Sequence, residues 1–372
     1  MTGTRLRGRP ELYTSYKQDM ALLNTSGKRV FVVALLAVSL VMPFSVDDDI
    51  LQLLATACVV AIGAIGLNIV TGYAGQVSLG HAFFAAIGAY TAAVLSGDPD
   101  GRVLGFGVTE MPVWLLAAGL VAGGFGALVA PLAVRLRGLY LAIVTLGLVF
   151  IGQWVFREWD EVAGPPDIGR PAPIPTLFGV RIDVDGEFFT RVQKLYWMML
   201  VLLVIFAVLA RNLVRSRTGR AFAAIRDRDI AAAVIGVNLA RYKMIAFAIS
   251  SFYAGVAGAL LYVIPQTFTP GNFNLLMSVQ FIAMILIGGV ATISGSIMGA
   301  LFITLLPRIT SELPAVLPFI SDSATGGGIT VVQVEAILYG LLIIGFLLFE
   351  PRGLYGIWVR IRNYWKAWPF SY

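Results

Sequence analysis

The segment from Gly66 to Ala82 carries a dense group of polar side chains within an otherwise apolar chain. Asn68, Gln76 and Ser78 offer amide and hydroxyl groups, and His81 adds an imidazole. Such side chains can contact a polar solute or hydrogen-bond neighbouring helices, and the residues alone leave both interpretations open. His81 is the only histidine, so a histidine-based metal site or catalytic triad is excluded.

Glycines divide this polar segment. Gly72 and Gly75 predict a break beside a pathway, because irregular backbone at membrane depth is tolerated where it lines protein or a water-filled cavity. A second glycine-rich segment, residues 288–299, lies in the second half of the chain and indicates internal pseudo-symmetry. A plain turn at the membrane surface is the competing interpretation for both. The predicted pathway residues are Asn68, Gln76, Ser78 and His81.

Residues 219–236 have a composition that suits docking on another protein. Thr218 can cap a short helix that ends near Asp227, and Asp229 can cap a second that stops at Gly236. A compact Ala-rich helix can enter a groove on a partner while charges at the corner fix its register. A merely solvated basic loop is the alternative. The predicted coupling residues are Gly219, Arg220, Ala224, Arg226, Asp227, Asp229, Ala232 and Gly236.

The elements that position these residues follow from composition. Of 372 residues, 58% are hydrophobic and 13% are charged. Lipid must be the solvent for much of such a chain, and a spanning helix needs about 20 apolar residues. We predict an all-α polytopic transmembrane bundle of about ten spans, with glycine-broken helices near its centre. The spans are 29–46, 50–71, 77–97, 112–134, 138–156, 194–211, 243–264, 275–293, 295–313 and 332–350; the third and ninth contain glycines and are candidates for broken or re-entrant segments.

Basic residues set the predicted orientation. Most of the 27 Lys and Arg residues fall on the side of the amino terminus when the ten spans alternate, so both termini are placed in the cytoplasm. The net charge of +6 is therefore a topology signal and not a sign of nucleic-acid binding. The predicted parts are a tail (1–28), a membrane domain (29–350) with an outer loop (157–193) and an inner coupling loop (211–243), and a second tail (351–372).

The predicted outer face collects carboxylates. They include Asp47, Asp48 and Asp49, with more in the loop from Glu158 to Glu187. Solvated loop surface explains them, and a docking rim for a soluble partner is the sharper alternative.

No energy source is visible in the chain itself. No stretch matches the phosphate-binding G-x-x-x-x-G-K-[ST] loop, so we expect no cofactor in this chain and any ATP to be bound by partner subunits. The middles of the apolar runs contain almost no ionisable side chains beyond His81, with Glu335 near a span entrance. Ion-coupled carriers keep such groups for a task, so their scarcity disfavours that class.

Four stretches resemble the branched-chain amino acid permease family of ABC importers, which also includes urea and short-chain amide permeases. They are Gly66–Ala82, Arg135–Leu146, the loop from Gly219 to Gly236, and Glu350–Gly356. Two departures stand out. The outer loop reads Ala163–Pro171 where that family usually has a Thr-Gly-Gly-rich segment, and the distal glycine motif has Ala291 and Ser296 where Gly and Pro are usual.

The resemblance implies a permease that moves a small polar solute by alternating access. The partners it implies are a second related permease, two ATP-binding cassette subunits, an extracytoplasmic solute-binding protein and membrane lipid, in a bacterial inner membrane. It favours branched-chain amino acids as solute, with urea, short-chain amides or another small organic acid as alternatives. Rival classes are an ATP-independent channel or facilitator, an ion-coupled carrier and a non-transporting membrane scaffold.

Overall fold

A computed structural model describes residues 26–136, 138–165, 168–310, 320–321 and 329–367. The described residues are mainly helical. The helices are α1 (Ser26–Val41), α2 (Asp48–Asn68), α3 (His81–Ser96), α4 (Met111–Arg135), α5 (Leu139–Glu158), α6 (Asp160–Ala163), α7 (Arg191–Arg215), α8 (Arg217–Val234), α9 (Leu239–Leu261), α10 (Leu275–Gly288), α11 (Ile293–Thr310), α12 (Val331–Phe349) and α13 (Gly353–Ala367). A π-helical turn, Ile69–Tyr73, prolongs α2, and 3₁₀ turns occupy Met42–Phe44 and Pro270–Asn272.

Short strands occur only in connections between the described helices. They are β1 (Arg170–Pro171), β2 (Thr176–Leu177), β3 (Val180–Arg181), β4 (Thr267–Phe268), β5 (Ile320–Ser321) and β6 (Ile329–Thr330). The pairs β1–β4 and β2–β3 are antiparallel, and β5–β6 is parallel. They fix loops and form no common sheet, so the bundle of helices is the fold.

Every predicted span overlaps an apolar helix, yet the helices differ in length. Six described helices are long and apolar enough to cross a membrane, and α12 with α13 forms a seventh candidate bent by 44°. The segments Arg29–Phe44, His81–Ser96 and Ile293–Arg308 are shorter apolar helices. Helix α3 starts at His81, directly after Gly80, and continues through Gly88. Helix α11 starts at Ile293 and continues through Gly295 and Gly299, so these glycines do not interrupt either helix. The count of ten spans stays a prediction.

Helices α2 and α9 form the centre of the bundle. Helix α2 packs against α7, α9 and α11, while α9 packs against α2, α3 and α4. Most of α2 is buried in protein, which fits its nearly uninterrupted apolar sequence. The polar break that follows α2 therefore lies at the end of a helix that other helices surround.

Small residues bring these central helices close together. Gly119 and Gly123 of α4 face Phe252 and the Ala248 carbonyl of α9. Between α3 and α9, a Cβ at Gly88 would overlap the Gly255 backbone. Helix backbones at such spacing gain van der Waals contacts that larger side chains would prevent.

A buried arginine organises the end of the bundle that lies away from α8. Arg170 of β1 is only 1% exposed and donates hydrogen bonds to the carbonyls of Ala93, Leu104 and Val162. Burial lowers the pKa of Arg170 to about 10, so the guanidinium remains charged at neutral pH. The unusual Ala163–Pro171 loop thus supplies a cation that joins three segments; Pro166 and Asp167 of this loop lie outside the described residues.

Because α3 and α9 approach closely, we expect one added methyl group at their contact to lower the free energy of unfolding. A Cβ at Gly258 of α9 would overlap the Ala85 backbone of α3. We expect Gly258→Ala to lower the free energy of unfolding by about 1–3 kcal/mol, because neither backbone can move aside without repacking. Thermal unfolding of the detergent-solubilised protein measures this.

Gly345→Ala is the matched control, since a Cβ at Gly345 in α12 meets no atom within 4 Å. That substitution should raise the free energy of unfolding by roughly 0.5–1 kcal/mol through helix propensity alone. Equal shifts in the same direction for both variants would contradict the packing described for α9.

Candidate functional site

Asn68, at the end of α2, joins the two glycine-rich segments. Its side-chain Nδ2 lies 2.7 Å from the Ser296 hydroxyl, 3.0 Å from the Thr292 carbonyl and 3.4 Å from the Gly289 carbonyl. Its Oδ1 accepts a hydrogen bond from the Ala291 backbone N–H at 2.8 Å. Asn68 is 1% exposed, so in this conformation its amide serves the protein interior. Its predicted contact with solute stays a prediction.

Ala291 and Ser296, where the resembled family usually has Gly and Pro, both contact Asn68. We call this contact between Asn68 and the second glycine-rich segment the junction. Ala291 has φ +57°, a left-handed conformation that favours glycine, which explains why Gly is usual at this position. Ser296 both accepts from Asn68 and donates to the Thr292 carbonyl at 3.2 Å. A proline would lack this hydroxyl. Ala291 and Ser296 therefore both take part in the contact with Asn68.

Gln76 and Ser78 lie in the irregular backbone between the π turn and α3. Gly75 has φ +68°, so the predicted break at this glycine is confirmed. Gln76 is 5% exposed, and neither atom of its side-chain amide has a hydrogen-bond partner among the described residues. The Ser78 hydroxyl lies 3.4 Å from the Gly80 backbone N–H. Of the four predicted pathway residues, Gln76 is thus the one whose side-chain donor and acceptor atoms both lack a hydrogen-bond partner among the described residues.

His81 begins α3 and is buried between helices. Its ring packs edge-on against Phe281 of α10, with centroids 4.6 Å apart, and it hydrogen-bonds the backbone of Gly63 in α2. Its Nε2 has no partner among the described residues. The imidazole therefore contacts α2 and α10 in this conformation, and its role along a pathway stays a prediction.

Two hydroxyl side chains that the sequence did not single out hold the start of α3. Thr145 of α5 accepts from the Leu79 backbone N–H at 2.9 Å, and Ser278 of α10 accepts from the Ala82 N–H at 3.1 Å. The two hydroxyl groups accept from backbone N–H groups at the start of α3, where the N–H groups of the first turn lack the carbonyl partner found inside a helix. Thr145 lies within the Arg135–Leu146 motif, which was its only signal in the sequence.

Helix α8 is the predicted coupling segment, and its start differs from the prediction. Ser216, and not Thr218, is the N-cap, and its hydroxyl accepts from the Thr218 backbone N–H at 3.1 Å. Both residue types can cap a helix, and the end of α7 at Arg215 leaves Ser216 as the first non-helical residue. Arg220 and Ala224 lie within the first part of the helix.

The break inside α8 confirms that the segment holds two short helices. Arg228 is the non-helical residue, with φ −157° and ψ 101°, so the break comes one residue before the predicted start at Asp229. The second part ends as predicted at Gly236, which has φ +90°. There the N–H groups of Gly236 and Val237 bond the carbonyls of Ala233 and Ala232, a Schellman motif.

The first part of α8 rests directly on the backbone after α2. Arg226 donates from Nη1 to the Gly72 carbonyl at 3.2 Å, and a Cβ at Gly75 would lie 3.0 Å from the Arg226 Cα. Phe222 is fully buried, and Gly219 lies so close to the Val214 backbone that no Cβ would fit. Helix α8 and the glycine-broken segment are therefore in direct contact, which the sequence did not show.

The second part of α8 presents an apolar surface. Ile230, Val234 and Ile235 are 70–83% exposed, whereas Ala232 is buried. Beside them, Arg226 and Asp227 form an exposed ion pair at 3.1 Å. We call Ile230, Val234 and Ile235 the α8 apolar patch.

A cavity of about 240 Å³ opens between this corner and the bundle. Its lining comes from the glycine-broken segment, the connection between α4 and α5, the α8 corner and the first turns of α9. The lining residues are Ala74, Gly75, Gln76, Ala133, Leu136, Gly138, Leu141, Ile225, Arg226, Asp227, Arg228, Asp229 and Lys243. Within the described ranges, no group of three or more His, Cys, Asp or Glu could hold a metal ion.

The carboxyl-terminal motif also reaches this region. Gly353 has φ +64°, and a Cβ there would lie 2.5 Å from the Ile287 carbonyl and 2.8 Å from the Gly289 nitrogen. In turn, a Cβ at Gly289 would meet Tyr355 at 3.1 Å. Sequence motifs separated by more than 200 residues thus meet at one end of the bundle.

Comparison with known proteins gives a consistent result. The family described as the permease component of branched-chain amino acid transport systems matches residues 49–347. The high-affinity branched-chain amino acid transport system permease protein LivM of Escherichia coli (strain K12) is 33% identical over 348 residues, 89% of this chain and 76% of that protein. LivM of Salmonella typhimurium is 32% identical over the same shares. The autoinducer 2 import system permease protein LsrC of Klebsiella pneumoniae is 29% identical over 203 residues, 52% of this chain and 53% of that protein. No solved structure matches the chain.

Ala291 offers a test of the junction. We expect Ala291→Gly to raise the free energy of unfolding by about 1 kcal/mol, because glycine adopts φ +57° without the steric cost that Ala291 bears. The Asn68 hydrogen bond to the backbone N–H at this position is retained. Thermal unfolding of the purified protein measures the change.

Ala300→Gly is the control, since Ala300 is buried within α11. It should lower the free energy of unfolding by about 1 kcal/mol, the usual cost of glycine inside a helix. Destabilisation of similar size by Ala291→Gly would show that the left-handed backbone at residue 291 is wrong.

Proposed function

The chain belongs to the permease-component family of branched-chain amino acid transport systems, and on that premise we propose that ATPase subunits drive it through α8. In this proposal it moves a small polar solute across the cytoplasmic membrane by alternating access. The contact of α8 with the backbone at Gly72 and Gly75 is the observation that carries the proposal. A displacement of α8 reaches the backbone between α2 and α3 through the Arg226 guanidinium at Gly72 and through the close approach of the Arg226 backbone at Gly75.

The α8 apolar patch supplies the docking surface. Ile230, Val234 and Ile235 lie on the side of α8 that the bundle leaves exposed. An apolar helix face that enters a groove, bordered by the charged corner of Arg226 and Asp227, is a recurrent mode of recognition between proteins. A nucleotide-binding subunit with a complementary groove is the partner that the family implies.

Asn68 extends the effect of α8 to the second half of the chain. Because it holds both Ala291 and Ser296, motion of the break after α2 also displaces the start of α11. Gln76, which lines the cavity beside α8, is the side chain we propose for solute contact in the inward-open conformation. The proposed topology has ten spans with both termini in the cytoplasm.

The proposed assembly contains this chain, a second related permease, two ATPase subunits and a solute-binding protein on the outer face. Branched-chain amino acids are the proposed solute, because the LivM relatives cover most of the chain. The LsrC similarity keeps autoinducer 2 as a second candidate. Retention of a radiolabelled solute by the cognate binding protein distinguishes the two.

Cysteine crosslinking tests the docking surface. In a Cys58→Ala background, we expect Ala233→Cys to form a crosslink with an ATPase subunit in membranes, since Ala233 is exposed beside the apolar patch. Val234→Asp should lower uptake at least tenfold, because a carboxylate would be placed in the apolar contact. Immunoblots and uptake of labelled solute by membrane vesicles are the measurements.

The neighbouring Ala232→Cys is the control. The sequence predicted Ala232 as a coupling residue, but the structure buries it against the protein, so its thiol should form no crosslink. Absence of any crosslink from Ala233→Cys in fully assembled complexes would contradict the assignment of α8.

A further inference from the structure

The β2–β3 hairpin projects from the end of the bundle that lies away from α8. Leu177 pairs with Val180, and the two-residue turn consists of Phe178 and Gly179. Their φ angles of +49° and +77° place both residues in the left-handed region. Helix α7 begins ten residues after β3 and spans 25 residues before it reaches α8, a rise of about 37 Å. The hairpin and α8 therefore lie at opposite ends of the bundle.

A carboxylate holds the turn in place. The two oxygens of Glu110 accept hydrogen bonds from the backbone N–H groups of Phe178 at 3.0 Å and Gly179 at 2.9 Å. Glu110 also forms a β-bridge with Thr176, and it precedes the first residue of α4. The hairpin is thus fastened to a long helix, and its tip has a defined position.

Phe178 at the tip of the hairpin has a left-handed backbone conformation that is sterically unfavourable for a bulky residue. Phe178 is 88% exposed, and Val180 beside it is 68% exposed. Turns with two left-handed residues favour Asn-Gly or Asp-Gly, and a bulky side chain in this conformation is an outlier. Residues that violate local backbone preferences cluster at functional sites, so an exposed aromatic side chain in this conformation points to a role in binding.

The charge of the surrounding face indicates what covers the tip. Exposed carboxylates dominate the described outer segments, among them Asp98, Asp100, Glu158, Asp160, Glu161 and Glu187. Of the described outer cations, Arg170 is buried and Arg181 is paired with Asp183. Arg191 and Lys194 donate to backbone carbonyls, and the exposed Arg102 and Arg157 are outnumbered by the carboxylates. Anionic lipid headgroups would be repelled by this surface, whereas a protein with a basic rim would be attracted to it.

We propose that Phe178 is the anchor residue through which the solute-binding protein docks on the outer face. The binding protein contributes an apolar pocket for the Phe178 ring, bordered by basic side chains that face the outer carboxylates. This inference rests on the proposed importer function, and it assigns that partner to one hairpin. An exposed, preorganised aromatic side chain is the type of residue that dominates binding at protein interfaces.

The test uses the complete transporter in lipid nanodiscs with a purified solute-binding protein that stimulates the wild-type ATPase. We expect Phe178→Ser to raise the binding-protein concentration for half-maximal stimulation at least tenfold, with basal ATPase activity and the maximal rate unchanged. Glu110→Ala, which frees the turn, should raise it by a smaller factor. Higher ionic strength should raise it for the wild-type transporter, because the rim contacts are electrostatic.

Phe188→Ser is the matched control, since Phe188 is 86% exposed on the same loop but lies outside the hairpin. We expect less than a twofold change for this variant. Equal shifts for both variants, or no shift for Phe178→Ser, would overturn the inference while the importer function stands. A wild-type complex that no solute-binding protein stimulates would instead contradict the importer function itself.

A second measurement separates protein from lipid as the occupant of the tip. In the Cys58→Ala background, a fluorophore on Val180→Cys, which leaves Phe178 in place, should be shielded from an aqueous quencher when the solute-binding protein is added. It should be insensitive to brominated lipids. Quenching by brominated lipids would place the tip in the membrane and overturn the inference.

Discussion

Four stretches of backbone meet at three contacts that are so close that an added side chain would overlap neighbouring atoms. Gly72 lies against the nitrogen of Ala291, Gly75 lies against Arg226 in α8, and Gly353 lies against the backbone at Gly288 and Gly289. Asn68 joins the two glycine-rich segments, because its side-chain amide donates a hydrogen bond to Ser296 and accepts one from the Ala291 backbone N–H. A buried amide that loses such partners costs about 1–3 kcal/mol, so the junction is expected to move as a unit or not at all.

Contacts that start at this junction connect the two ends of the bundle. Helix α8 contacts the junction, α9 follows α8 directly in sequence, and α9 packs against α2, α3 and α4 along the centre of the bundle. At the far end, Arg170 ties the last turn of α3 to the outer loops, and Glu110 fixes the hairpin to α4. Partners at either end would thus act on helices that share one tightly packed core. Such a core has few intermediate arrangements, which suits a transporter that alternates between two states.

The sequence predicted the kinds of elements better than their contacts. Hydropathy located every apolar helix, because lipid-facing and buried residues are both apolar. It overestimated the lengths of the third and eighth spans, because α3 starts only after Gly80 and α10 ends before Gly289, which has φ +133°. Ser216 and Thr218 are both capping residues, and only the end of α7 selects between them. The bond between Asn68 and Ser296 joins residues 228 positions apart, and no local pattern reports such a pair. The left-handed Ala291 and the exposed Phe178 break local preferences and are visible only in the fold.

The central claim is that this chain hydrolyses nothing itself and that a nucleotide-hydrolysing partner moves it through α8. The most direct test is solute uptake by vesicles that contain the complete assembly with hydrolysis-deficient ATPase subunits, compared with the wild-type assembly. The account predicts that uptake falls to the level of vesicles without the transporter, although all subunits remain assembled. Uptake at the wild-type rate would contradict it.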